Sequence, residues 1–158
     1  RHEIDALALG LDWVSRHTDA ELKSAAQHAL AKIQAVLPEH LTHTLDHQSL
    51  LVASRGEALF ETHLPEIRQA IHTRNKITLR YTDLKEMTST RTLWPVVLGY
   101  FDRVRLLCGW CELRQDFRNF RVDRIQEIVV SDELYPGTRH QLLKRWKDYQ
   151  QARYPDYR

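Results

Sequence analysis

Two cysteines in 158 residues, three positions apart, are too few for the cross-linked frame of a small secreted domain, and they fit a reducing compartment. Five glycines, at positions 10, 56, 99, 109 and 137, never fall within the spacing of a phosphate loop or a dinucleotide fingerprint. No Gly-x-Ser-x-Gly elbow and no His-Glu-x-x-His helix occurs, so no nucleophile with an evident base can be read. No apolar run approaches the roughly 20 residues that cross a bilayer, and no charged-then-apolar signal segment opens the chain. A soluble, cytoplasmic, non-enzymatic protein is expected, with no cofactor. The chain starts on Arg1 rather than Met and is expected to be a fragment of a longer polypeptide lacking an N-terminal segment.

With 42% hydrophobic residues there is material for one respectable core or two small ones, and one main domain with appendages is expected. The overall charge of +2 conceals a division: residues 74 to 124 carry 11 Lys and Arg against 6 Asp and Glu, and the remainder is net negative. A basic module between acidic flanks suits an anionic partner.

Ile4, Leu7, Leu11 and Val14 recur at helical spacing, and Thr18 with Glu21 forms a capping-box pattern ahead of Leu22, Ala26, Ala29, Ile33 and Val36. Two helices follow, the second ending by Pro38, with an apolar face that needs a partner. Glu39 to Glu61 has no clear period. Pro65 and Glu66 suit the first turn of a short helix through Ile67, Ala70 and Ile71, with Asn75 as a left-handed stop. Strands are expected over Lys76–Tyr81, Arg91–Phe101, Val104–Leu113, Phe117–Val122 and Glu127–Val130, with Pro95 at a bulge or an edge because it cannot donate to a ladder. Leu142, Trp146 and Tyr149 mark a last helix after Pro136 and Gly137. Five short strands with tight connections imply an antiparallel sheet or small barrel, an α+β fold.

Three constellations could carry chemistry. Cys108-Gly-Trp-Cys111 has the C-x-x-C form of a redox pair, but it lies within a continuous strand, where residues three apart face opposite sides with Cα atoms roughly 10 Å apart, beyond disulfide reach of about 7 Å. Thiol redox is thus the weaker alternative, and two thiols serving as small apolar side chains is the plainer reading. His40, His43 and His47 with Asp46 would share a face only in a helix, and no second cluster adds ligands, so they read as surface histidines and no metal is expected. The third is the run Arg91, Arg103, Arg105, Arg114, Arg118, Arg121 and Arg124, interleaved with Trp94, Tyr100, Phe101, Trp110, Phe117 and Phe120. Guanidinium forks and aromatic faces suit a nucleotide or single-stranded nucleic acid. The same mixture also fits a β domain with an aromatic core and an arginine-solvated outer face. Strand alternation sets a limit: Arg118 shares a face with Phe120, and Arg121 with Phe117 and Asn119, so both cannot serve one flat surface without a bulge near Asn119.

Arg91-Thr-Leu-Trp-Pro95, Arg105-Leu-Leu-Cys-Gly-Trp-Cys-Glu-Leu-Arg114 and Phe120-Arg-Val-Asp-Arg-Ile125 resemble the WYL domain of bacterial transcription regulators. Ala31-Lys-Ile-Gln-Ala-Val-Leu-Pro38, Leu134-Tyr-Pro136 and Leu142-Leu-Lys-Arg-Trp146 extend the resemblance to the DeoR-like or YafY-type helix-turn-helix members of that group. The resemblance implies a five-stranded SH3-like or Sm-like β-barrel that binds an effector, a nucleotide or nucleic-acid fragment, and changes the DNA affinity of an attached winged helix-turn-helix. It divides the chain into a helical linker or dimerisation region (1–60), the WYL barrel with its leading helix (61–130) and a C-terminal extension (131–158). It implies ligand contacts at Tyr81, Arg91, Arg118, Arg121 and Arg124, with Arg121 and Arg124 the firmer pair. A homodimer is expected, because regulators that read two-fold symmetric sites are usually dimers. Direct binding of single- or double-stranded nucleic acid is the competing function. One departure is that the Trp-Tyr-Leu naming the domain reads Arg105-Leu106-Leu107 here, which removes two aromatics.

Overall fold

The computed structural model describes residues 2–38, 63–101 and 103–155. The segment without clear period, the histidines 40, 43 and 47, and Asp46 lie outside the described residues. The chain divides into two compact units, Arg1–Glu61 and Thr62–Arg158.

In the first unit, helices α1 (His2–His17) and α2 (Ala20–Val36) pair through Ile4 and Ala8 with Leu30 and Leu37. The α1 stripe is displaced from the expected one: Ala8 is buried, whereas Leu7 is 52% exposed. The cap of α2 also differs. Asp19, not Thr18, is the N-cap, and its Oδ1 accepts from the amides of Glu21 and Leu22 at 3.1 and 3.2 Å. Thr18 instead donates its hydroxyl to the Val14 carbonyl at 2.6 Å, closing the end of α1. A carboxylate beside unpaired amides at a helix start gains from the helix dipole as well as the hydrogen bonds, so aspartate outcompetes its neighbour.

The second unit is a five-stranded antiparallel sheet covered by one helix on each face. Helix α3 (Leu64–Thr73) has Pro65 in its first turn and buries Leu64, Ile67, Ala70 and Ile71. The left-handed residue that stops it is Arg74 (φ 64°), with Asn75 already in the sheet donating its side-chain amide to the Ser131 carbonyl at 2.8 Å. Strands β1 (Asn75–Thr82), β2 (Thr88–Tyr100), β3 (Arg105–Cys111), β4 (Asp116–Arg121) and β5 (Ile125–Leu134) line up in the order β4-β3-β2-β1-β5. The expected α+β class and five-stranded antiparallel sheet are present, and in this pairing β4 and β5 are the two edges of an open ladder. A 3-10 turn, Val122–Arg124, separates β4 from β5, so the chain crosses between the two edges without pairing them. The last strand is also longer than expected, because Ser131, Asp132 and Glu133 conceal its continuation to Leu134.

Register assigns the two faces. Ile77 opposes Leu93, Leu79 opposes Arg91, Tyr81 opposes Ser89 and Leu107 opposes Phe120, and directly opposed residues share a face. This face carries the core under α3, with Leu64, Ile67, Ile77, Leu79, Leu93 and Leu107 at 0 to 1% exposure. On the other face Trp94 opposes Trp110, and Trp110 opposes Phe117. Helix α4 (Arg139–Arg153) covers them with Leu142, Leu143, Trp146 and Tyr149. Its start is a full capping box: Thr138 Oγ1 accepts from the Gln141 amide and Gln141 Oε1 from the Thr138 amide. The register slips between Pro95 and Val97, placing a bulge where the missing proline N–H would otherwise break the ladder.

Candidate functional site

The arginines divide according to strand parity. Arg91 and Arg118 lie on the α3 face, opposite Leu79 and Gly109, while Arg121 opposes Leu106 on the α4 face. No bulge interrupts β4 at Asn119, which pairs with Cys108 in an unbroken register. The five expected contacts are thus not brought onto one surface.

What does converge is the end of the sheet at the β1–β2 hairpin. The Tyr81 ring meets Phe120 edge-on at 5.0 Å, and its hydroxyl accepts from the Arg121 amide at 3.3 Å. Across the ladder from Tyr81 is Ser89, whose Oγ accepts from Arg91 Nε at 3.1 Å. Arg124, in the 3-10 turn, donates from Nη1 to the Asp83 carbonyl of the hairpin loop at 3.1 Å, and its buried Nε has no hydrogen-bond partner among the described residues. The loop is held by Asp83 Oδ1, which accepts from the amides of Lys85 and Met87 at 2.8 and 2.9 Å.

Neither Arg91 nor Arg124 is paired with a carboxylate among the described residues. An unneutralised guanidinium held by a hydroxyl or a carbonyl keeps donors for an anion. Arg118 is exposed and likewise lacks an acidic partner among the described residues, but the register sets it two strands from Arg91 and four residues along. Arg121 differs, because its Nε and Nη2 reach Asp123 Oδ1 and Oδ2 at 3.1 and 2.7 Å. That hydrogen-bonded carboxylate raises the Arg121 pKa further and occupies its fork. The spacing Arg121-x-Asp123 was the available sign of this pairing.

Two other arginines of the sheet have structural work. Arg105, in the first position of the Trp-Tyr-Leu site, is 8% exposed and stacks over Tyr100 at 5.2 Å while donating to the Phe101 carbonyl at 2.6 Å. Burial lowers its pKa from the usual value. Arg80 points away from this face, near Glu127 at 3.5 Å. Ser89 was not singled out from sequence, since only the hairpin register reveals that it faces Tyr81.

Of the aromatics interleaved with the arginines, Phe101 is 57% exposed, whereas three others are packed under a helix. Trp94, Trp110 and Phe117 pack together beneath α4, and Arg145 of that helix lies over the Trp110 ring at 4.7 Å. Cys108 and Cys111 are free and buried, and their strand pairing puts them on opposite faces, Cys108 with Asn119 and Cys111 with Asp116. Burial pushes the Cys108 thiol up to about 11. Among the described residues no group of three His, Cys, Asp or Glu could hold a metal ion, and no helix is long and apolar enough to cross a membrane.

Residues 62–130 match a family described as the WYL domain. Among solved structures, the chain is similar to proteasome accessory factor B/C (PafBC) of Arthrobacter aurescens, with 21% identity and a TM-score of 0.47, over 86% of this chain and 21% of that one. The chain therefore spans about a fifth of that protein's length. No curated protein matches. The segment from the start of α3 into β5 has the family's pattern, and the match supports a WYL-domain protein.

Proposed function

We propose that this chain is the effector-sensing part of a DNA-binding transcriptional regulator, and that the hairpin end of its sheet holds an anionic ligand, a nucleotide or a nucleic-acid fragment. The carrying observation is that Arg91, held by the Ser89 hydroxyl, and Arg124, held by the Asp83 carbonyl, both sit at the β1–β2 hairpin end with no carboxylate partner among the described residues. A buried guanidinium nitrogen without a partner is costly, and an anion arriving at Arg124 offsets that cost. Arg118 extends the positive field on the same face. Arg121 contributes through its backbone amide, which holds the Tyr81 hydroxyl, and through Asp123, which a strongly anionic ligand would have to displace. The barrel-like WYL effector module, a homodimer in the cytoplasm, and an attached winged helix-turn-helix that contacts DNA complete the proposal.

Direct nucleic-acid binding receives less support, since base stacking needs open aromatic faces beside the cations: Trp94, Trp110 and Phe117 pack under α4, and the exposed Phe101 follows the end of β2 that lies away from the hairpin. Fluorescence anisotropy of a labelled single-stranded oligonucleotide and of a labelled nucleoside triphosphate tests the proposal. Arg91→Ala and Arg124→Ala are expected to weaken whichever probe binds by about 10- to 100-fold, the cost of one charge-assisted contact. Arg121→Ala is expected to weaken it less. Equal binding by wild type, Arg91→Ala and Arg124→Ala would overturn the site.

A further inference from the structure

On the α4 face, away from the arginine cluster, the sheet and the C-terminal half of α4 enclose a groove of about 820 Å³. Its floor is apolar, made by Val97 and Gly99 of β2 and Leu106 and Cys108 of β3, residues that the register puts on this one face. Phe101, Trp146 and Tyr154 form aromatic walls, and two of these rings are left open, Phe101 at 57% and Tyr154 at 50% exposure. Open rings over an apolar floor favour a flat apolar body that stacks on them, and the volume is that of a site for one small molecule.

The polar lining narrows the class. Asn119, Gln150 and Gln151 bring amide side chains to the rim, and none of the three makes a side-chain hydrogen bond among the described residues. Lys147 is the one charged residue among those that line the groove, and it has no acidic partner among the described residues. An amide rim with one cation and no carboxylate matches a single negative charge on the ligand.

We infer that this groove is a second small-molecule site, for a planar aromatic molecule with one acidic group, distinct from the arginine cluster and on the opposite face of the sheet. The ring system lies on Leu106 and Cys108 between Phe101 and Tyr154, and the acid points to Lys147. Because the walls come from both the sheet and α4, an occupant joins the two layers. The site stands without the proposed effector function and is tested separately from it.

The probe is anilinonaphthalene sulfonate, an aromatic monoanion whose fluorescence rises on leaving water, titrated into the whole chain. One saturable site is expected in the wild type. Lys147→Glu, on the exposed side of a helix, is expected to weaken it about three- to fivefold, as for one partly screened charge. Leu106→Trp is expected to abolish it by filling the floor, while Lys23→Glu, the same charge change in α2, leaves it unaltered. Naphthoate should displace the probe at lower concentration than naphthylmethylamine. Absence of saturable binding in the wild type, wild-type binding by both groove variants, or equal displacement by the acid and the amine would overturn the inference.

Discussion

Replacing Cys108 by alanine isolates one group whose ionisation the fold opposes. Burial takes its thiol from 9.0 to about 11, so at pH 8 a thiol that is about one-tenth thiolate when unfolded is about one-thousandth thiolate when folded. The thiolate is the nucleophile, and native Cys108 is therefore expected to react with iodoacetamide about 100-fold more slowly than in guanidinium. The same shift predicts a pH dependence of stability. A folded value raised above the unfolded one gives a contribution that is whole below pH 9 and is lost as pH rises through about 11. The interval from 9.0 to about 11 corresponds to roughly 2 to 3 kcal/mol. Urea titrations of wild type and Cys108→Ala between pH 8 and pH 11 should converge by most of that amount, about 2 kcal/mol, with the wild type losing its advantage as pH rises. Mass-spectrometric alkylation within a fewfold of the unfolded rate, or parallel stability curves for the two proteins, would refute the reasoning. Fast alkylation would also return the C-x-x-C redox alternative to consideration.

Glu112→Gln is expected to cost about 1 kcal/mol at neutral pH, since Glu112 Oε1 accepts from Lys76 Nζ and from Trp94 Nε1, both at 2.8 Å, and part of the pair is solvent-screened. The Lys76 hydrogen bond, then that of Trp94, holds the Glu112 carboxyl below its usual 4.5, so the wild type's advantage should fade in urea titrations as pH falls below that value. Asp19→Ala should lower stability by about 1 kcal/mol, read as earlier loss of helical circular dichroism on heating, with Asp19→Asn largely retaining it. Gly109→Ala places a Cβ 2.9 Å from the Trp94 carbonyl oxygen, so the β2–β3 ladder must shift, and about 1 to 3 kcal/mol should be missing in chemical denaturation.

Alternation along strands made much of the second unit legible. The opposed faces of Arg118 and Arg121, the separation of Cys108 from Cys111 and the bulge at Pro95 all follow from a period of two and a missing N–H. Helix punctuation was less legible where two neighbours compete for one role. Thr18 and Asp19 both cap well, as Arg74 and Asn75 both could stop α3, and the outcome depends on tertiary partners such as Ser131. The candidate site was legible as composition and illegible as arrangement. The pairing of Arg121 with Asp123 removes one guanidinium from use, and Ser89 enters only through the hairpin register. Which aromatics stay open depends on α4, whose sequence does not announce where it docks.

The helix over Trp94, Trp110 and Phe117 also separates two notions of a domain. The family match ends at 130, whereas β5 continues to Leu134, Tyr135 is 1% exposed and α4 seals the second face. A protein cut at the family boundary would shorten an edge strand and put a cluster of large aromatics into water, an invitation to aggregate. In this chain the segment that matches the family is shorter than the unit of folding, and expression boundaries should follow the latter.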